Sequence, residues 1–125
     1  MSSRPDETEP ERIQRLLRKA IQNHETSPCF IWEDRAARTA RDRCFGVEPR
    51  ELRALAIDHV LRRNGNVGVT RERDEEWIGV RKFDYWCSVC FLVPDAGEVF
   101  MKLALVCDDE DLPEARIVGA HASSF

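Results

Sequence analysis

A change in hydrophobic periodicity near Val67 is the feature that most constrains how this chain can fold. Before that point, apolar residues recur at the three- and four-residue spacing of one helical face. After it they alternate, as on a strand with one buried side. A chain whose helical and strand-like segments fall in separate halves is typical of an α+β domain. We therefore predict N-terminal helices packed on a C-terminal antiparallel sheet.

The first helix is predicted to begin after Thr8 and to run to about Asn23. Thr8 and Glu11 have the spacing of a capping box, in which a hydroxyl and a carboxylate satisfy free amide groups at a helix start. Pro10 suits the first turn. Residues 1–8 are polar and are predicted to be disordered.

Two further helices are predicted, over about residues 33–44 and 49–63. Residues 24–32, which lie before them, are interpreted as a loop with a short apolar run. Gly46 favours a helix end because glycine readily adopts the left-handed conformation that closes helices, and Pro49 suits the first turn of the helix that follows.

The strand-like half is predicted to form a hairpin and a third, returning strand. Residues 85–93 and 98–107 are rich in β-branched and aromatic side chains, and they flank a turn at residues 94–97. After an acidic loop over residues 108–114, residues 115–122 can return as the third strand.

The length and the overall pattern fit one domain outside any membrane. A chain of 125 residues can bury a single modest core. No apolar run approaches the roughly 20 residues of a membrane helix. The polar, acidic N-terminus does not resemble a secretory signal, so we expect a cytoplasmic protein.

The five cysteines are interpreted as reduced thiols. Their number is odd, and most have apolar neighbours, which is unlike a disulfide framework. Cys87 and Cys90 form a C-x-x-C motif, which raises a zinc or redox alternative. No second such pair exists, however, and residues three apart on a strand point to opposite faces. Buried structural cysteines are therefore favoured.

The net charge of -4 is unevenly distributed. Residues 12–63 carry twelve basic and seven acidic side chains, whereas residues 108–125 carry one basic and five acidic. Such a distribution allows a polyanion to bind the basic half despite the acidic total. A solvated, arginine-rich helix surface is an equally good interpretation.

Lys102 is the main anomaly of the predicted sheet, because it shares a strand face with Phe100 in a segment otherwise suited to burial. If the following loop is centred near residues 111 and 112, antiparallel pairing places Lys102 directly opposite His121. Opposed residues have Cβ atoms about 4.5–5.5 Å apart, so the two side chains could converge on one anion. The alternative is a lysine extended along an exposed face and an ordinary histidine at a strand end.

This pair of residue types suits metal-independent cleavage of RNA by its own 2′-hydroxyl group. An imidazole titrates near neutral pH and can move the proton, while a cation stabilises the charge that develops on phosphorus. Lys102 and His121 are therefore the candidate catalytic residues, and no metal or cofactor is expected.

Four basic residues near the start of the sheet are candidate contacts for RNA phosphates: Arg71, Arg73, Arg81 and Lys82. Acidic residues lie between them, so a solvated charged loop is the alternative interpretation.

Three segments, YWCSV at residues 85–89, GEVFMKL at residues 97–103 and IVGAH at residues 117–121, carry a family resemblance. They resemble the C-terminal half of the MqsR-like messenger-RNA-cleaving toxins of the RelE superfamily. Those proteins typically show a G-x-V-[YF]-x-K-L strand followed by a strand ending near S-F-H or S-F-K. The helical pattern over about residues 36–61 is arranged similarly.

The resemblance implies a RelE-like ribonuclease fold and assigns roles by position. Lys102 matches the strand lysine, His121 matches the terminal basic residue, and Phe100 matches a position often held by tyrosine. Gly119-Ala120 stands where Ser-Phe is usual. The implied function is that of an endoribonuclease toxin, with RNA and an antitoxin protein as partners.

A non-catalytic binding module on a related scaffold is the alternative. Such an inhibitor or accessory protein would recognise another protein through the arginine-rich helices and the acidic loop over residues 108–114. The sequence leaves the RNA target and the oligomeric state open.

Overall fold

The computed structural model describes residues 6–71 and 85–123. Within these ranges the helices precede most of the strands, and the α+β prediction is confirmed. The elements are α1 (Glu9–Gln22), β1 (Phe30–Trp32), α2 (Asp34–Arg43), α3 (Pro49–Leu61), β2 (Gly68–Arg71), β3 (Tyr85–Val93), β4 (Gly97–Cys107) and β5 (Glu114–Ala122).

The five strands form one mixed sheet in the order β1-β5-β4-β3-β2. Neighbouring strands are antiparallel, except that β1 runs parallel to β5. The segment 24–32, predicted to be a loop, therefore contains an edge strand. Three residues are too few for alternation to be recognised, and β1 forms because its backbone pairs with Ala115–Ile117.

The start of α1 confirms the predicted capping box. The Thr8 hydroxyl accepts a hydrogen bond from the Glu11 amide at 3.3 Å, and the Glu11 carboxylate accepts one from the Thr8 amide at 3.0 Å. These hydrogen bonds lower the pKa of Glu11. Glu7 also makes a contact, an ion pair with Arg15. Residues 1–5, the rest of the segment predicted to be disordered, lie outside the described ranges.

The core lies between the helices and one face of the sheet, which we call the inner face. Strand residues Val89, Met101, Leu103 and Ile117 belong to this core. The helices contribute the apolar stripes that their periodicity predicts: Ile13, Leu16, Leu17, Ala20 and Ile21 from α1, Ala40 from α2, and Leu52, Ala56 and Val60 from α3.

The sheet has five strands at one end and three at the other. The edge strand β1 pairs only with Ala115–Ile117 of β5, and β2 pairs only with Tyr85–Ser88 of β3. Beyond these residues the sheet consists of β3, β4 and β5. In the described residues, no helix is long and apolar enough to cross a membrane.

Candidate functional site

The face of the sheet opposite the core, which we call the outer face, carries the candidate catalytic residues. Along β4, Val99, Met101 and Leu103 are buried on the inner face, while Phe100 and Lys102 alternate with them and are partly exposed. All helices described here contribute their buried residues to the core on the inner side. Among the described residues, the outer face is therefore the side of the sheet that the helices leave uncovered.

The predicted register, with Lys102 opposite His121, is wrong by two residues. Lys102 pairs with Gly119, and His121 pairs with Phe100. The loop is shorter on the β5 side than predicted, since pairing resumes at Glu114 opposite Cys107. A bulge also interrupts the ladder between Lys102 and Leu103.

A two-residue shift keeps Lys102 and His121 on the same face, because side chains alternate with a period of two. The two residues are diagonal neighbours rather than opposed ones, a relation that separates Cβ atoms by about 7–8 Å. Long side chains still span that separation, so both residues remain able to contact one bound group.

Lys102 lies against an aromatic side chain of β3. Its Nζ atom is 4.6 Å from the centroid of the Trp86 ring, within the range of a cation–π interaction. Trp86 is a diagonal neighbour of Lys102, because Lys102 pairs with Ser88. The tryptophan thus orients the ammonium group over the outer face.

His121 is exposed and stacks on Phe100, with ring centroids 5.4 Å apart and an interplanar angle of 32°. Phe100 in turn meets Trp86 edge to face at a centroid distance of 6.3 Å. The three rings thus form a chain of contacts across β3, β4 and β5, which we call the aromatic array, and because Trp86 and Phe100 are nearly perpendicular, a planar ligand can stack on single rings of it but not on all three at once.

The His121 Nδ1 atom lies 2.9 Å from the carbonyl oxygen of Ala122. A carbonyl oxygen can only accept a hydrogen bond, so Nδ1 carries the hydrogen. In the neutral imidazole this leaves Nε2 without a proton, and Nε2 is then the atom that can take one from a ligand.

Gly119 leaves open space beside these groups. A Cβ atom placed on Gly119 would have nothing within 4 Å. Gly119 pairs with Lys102 and lies two residues from His121 on β5, so the backbones of both candidate residues flank this open space, while the Lys102 ammonium lies toward Trp86 on β3.

Arg71 is not part of this arrangement. It ends β2 and pairs with Tyr85, whose ring packs against the core side of the sheet, so the two residues lie on the side away from Lys102. Arg73, Arg81 and Lys82, the other predicted RNA contacts, lie outside the described residues.

No protein-family model, curated protein or solved structure matches this chain.

The basic surface of α1 contacts the acidic loop between β4 and β5. Arg12 pairs with Asp108 at 3.3 Å, and Arg15 pairs with Glu110 at 2.8 Å. Lys19 donates a hydrogen bond to the backbone carbonyl of Glu110. Two arginines of the basic half are thus paired with carboxylates of the acidic loop within the molecule.

These contacts shift the acid–base equilibria of the pair. Arg15 lowers the pKa of Glu110, and Glu7 and Glu110 together raise the pKa of Arg15. Both shifts favour the charged forms, since each charged group binds an opposite charge. At these positions the arginines of α1 bind carboxylates of the same chain and not a polyanion.

The two cysteines of the C-x-x-C motif point to opposite faces, as predicted. Cys87 is buried, and this burial raises its pKa to about 12, whereas Cys90 is exposed. In the described part of the chain, no group of three or more His, Cys, Asp or Glu side chains could hold a metal ion.

Sequence reasoning did not identify the role of two neighbours of the candidate pair. The sequence places Trp86 in a strand segment that resembles the toxin family, and it marks Gly119 as a departure from the family pattern, without a role for either residue. Trp86 lies two residues before Ser88, which pairs with Lys102, so the alternation of side chains along β3 places Trp86 on the same face as Lys102. The position of Gly119 depends on the register, which no local pattern supplies.

Proposed function

We propose that this protein is a metal-independent endoribonuclease toxin of a toxin–antitoxin pair, acting on the outer face of its sheet. The observation that supports this most is that Lys102 and His121 lie on one face of the sheet as diagonal neighbours, with open space at Gly119 beside them. The resemblance of the three strand segments to MqsR-like toxins supports the same function.

In the proposed reaction, His121 Nε2 takes the proton of a ribose 2′-hydroxyl. The 2′-oxygen forms a bond to the adjacent phosphorus, and the bond from phosphorus to the 5′-oxygen breaks. The products are a 2′,3′-cyclic phosphate and a 5′-hydroxyl, whose proton comes from water. Lys102 stabilises the negative charge on the non-bridging oxygens in the transition state.

The aromatic array formed by Trp86, Phe100 and His121 supports a single-stranded substrate. Bases in a single strand can be splayed apart and stacked on aromatic side chains, whereas bases in a duplex cannot. The acidic total charge predicts modest non-specific affinity, because few phosphates would be neutralised. Selection of the target would then come from bases or from another macromolecule.

Cleavage of a single-stranded RNA in EDTA tests the proposal. We expect wild-type protein to cleave, His121→Ala to lose about 10²–10⁴-fold in rate and Lys102→Ala about 10²–10³-fold. Matched controls are His24→Ala and Arg38→Ala, which remove a histidine and an exposed cation away from the outer face. The controls should keep wild-type rates, and circular dichroism should show all variants folded.

An inert wild-type protein, tested on varied RNAs with and without ribosomes, would contradict the nuclease proposal. Equal losses in the controls would show that the variants act through general charge or folding. A small neighbouring reading frame that encodes an antitoxin, and a complex of the two proteins after co-expression, would support the toxin–antitoxin assignment.

The alternative function is the non-catalytic binding module, which one observation favours. Arg35 and Arg38 are exposed on α2, a surface that a protein partner can reach. The engagement of α1 by Asp108 and Glu110 weighs against the rest of the predicted binding surface, because those side chains already bind each other. Retained partner binding by Lys102→Ala and His121→Ala, without RNA cleavage by the wild type, would favour this module.

A further inference from the structure

One half of β3 has an open backbone edge. β2 pairs with Tyr85–Ser88 alone, and β3 continues for five more residues, Val89–Val93. In the described ranges no backbone hydrogen bond joins these five residues to a strand on that side. An edge of this kind is a template on which another strand can pair.

The open stretch lacks the features that usually protect an edge. Its sequence, VCFLV, contains no charged residue and no proline. Leu92 is 71% exposed, the highest value among the exposed large apolar residues. Free edges in natural proteins are commonly blunted by lysine, proline or bulges, so an uncharged edge with an exposed leucine is better explained if it is covered.

A groove of about 560 Å³ runs along this edge, between β3 and the last turns of α3. Its apolar lining includes Leu55, Leu92 and Pro94, and its charged lining includes Arg63 and Glu98. The edge is therefore accessible to a strand in the plane of the sheet.

We propose that a second copy of this chain covers the edge by antiparallel pairing of β3 with β3 around Phe91. The five residues are complementary to themselves in that register. Phe91 meets Phe91 of the second copy, Val89 meets Val93, and Cys90 meets Leu92. A two-fold contact requires that each paired side chain faces the same side of the sheet as its partner, and this register meets that requirement. The inner-face residues are Val89, Phe91 and Val93, and the outer-face residues are Cys90 and Leu92.

The charged side chains that line the groove are of both signs, namely Asp58, Arg63 and Glu98. Arg63 already pairs with Asp58 of its own chain at 3.0 Å, and Glu98 lies on the outer face opposite Leu92. Two copies that meet across this edge therefore do not bring together clusters of like charge.

Sedimentation over a range of concentrations tests this dimer. We expect wild-type protein to dimerise reversibly and Leu92→Lys to weaken the dimer at least about tenfold, because lysine at a strand edge disfavours pairing and the two-fold axis places both new ammonium groups on diagonal positions of the outer face. Leu112→Lys is the matched control: Leu112 is a second exposed leucine, 51% accessible, on the acidic loop. It should dimerise like the wild type.

An engineered disulfide tests the register. In Leu92→Cys, each new thiol would face the native Cys90 of the second copy, so mild oxidation should give a covalent dimer linked between positions 90 and 92. Leu112→Cys should remain monomeric on a non-reducing gel. Mass spectrometry of the linked peptides identifies the pairing.

A wild-type protein that stays monomeric at its highest soluble concentration would overturn the proposal. So would a dimer that Leu92→Lys leaves unchanged, or cross-links at other positions in Leu92→Cys. None of these results bears on RNA cleavage, because Lys102 and His121 are not part of the edge.

Discussion

Two glycines of the sheet show how differently the same residue type can be constrained. Gly97 follows the β3–β4 turn with a φ angle of 156°, and a Cβ atom there would lie 2.9 Å from the Phe45 ring. Gly119 is not in a left-handed conformation, and a Cβ atom placed on it meets nothing within 4 Å. Gly97 is therefore required by backbone and packing, whereas Gly119 serves to keep space open.

Gly97→Ala should lower the free energy of unfolding by about 1–3 kcal/mol, because alanine is strained at that φ angle and meets Phe45. Gly119→Ala is the matched control and should stay within about 0.5 kcal/mol of wild type. Urea denaturation followed by circular dichroism measures both values. A loss at Gly119 equal to that at Gly97 would contradict this assignment of the two roles.

At the scale of secondary-structure elements, α1 is joined to the acidic loop between β4 and β5 by ion pairs and a hydrogen bond. The loop has its own internal order, since the Asp109 carboxylate accepts hydrogen bonds from the Asp111 and Leu112 amides at 2.8 Å and 3.1 Å. It is thereby shaped to present Asp108 and Glu110 to Arg12 and Arg15. Two segments of opposite charge thus become one structural contact.

Glu110→Gln should make the protein's stability less sensitive to acid. Arg15 lowers the folded-state pKa of Glu110, so this carboxylate stabilises the fold above its unfolded-state pKa, and the contribution is lost as pH falls through the folded-state value. Between about pH 6 and about pH 3, wild-type protein should lose more unfolding free energy than the variant does.

Asp111→Asn is the control for that experiment, because Asp111 is an exposed acid of the same loop. Its acid sensitivity should match the wild type. Urea unfolding at both pH values gives the comparison, and an unchanged pH dependence in Glu110→Gln would show that the pair with Arg15 does not stabilise the fold.

At the scale of the whole molecule, buried thiols from different elements belong to one core. Cys44, which follows α2, and Cys87, on β3, both lie in that core. Cys29, which precedes β1, is also buried. A single core that joins helices and sheet should open in one cooperative transition, as small domains usually do.

Thiol labelling should therefore separate the cysteines into two groups. Cys90 is exposed and Cys107 is partly exposed, so both should react in native protein, while Cys29, Cys44 and Cys87 should react only on global unfolding. Burial also raises the pKa values of Cys44 and Cys87 and so reduces their reactive thiolate. Mass spectrometry of time-resolved labelling measures the rates, and early reaction of Cys87 would contradict the single core.

Several elements are specified by signals that lie within a few residues of one another in the sequence. Thr8 and Glu11 mark the start of α1, Gly46 marks the end of α2, and alternation along 85–93 marks β3. Each signal lies within a few residues of the structure that it specifies, because capping, left-handed backbone and side-chain alternation are properties of short segments.

How those elements meet depends on contacts between parts of the chain that are far apart in sequence. β1 exists because Ala115–Ile117 is beside it, and the register of β4 and β5 depends on how the loop at Asp109 closes and on the bulge after Lys102. The alternation of side chains along the strands predicted that Lys102 and His121 share one face. Their diagonal relation and the open space at Gly119 depend on pairing between distant residues. Pairing of this kind is set by loop geometry and packing across the whole domain, which no short segment encodes.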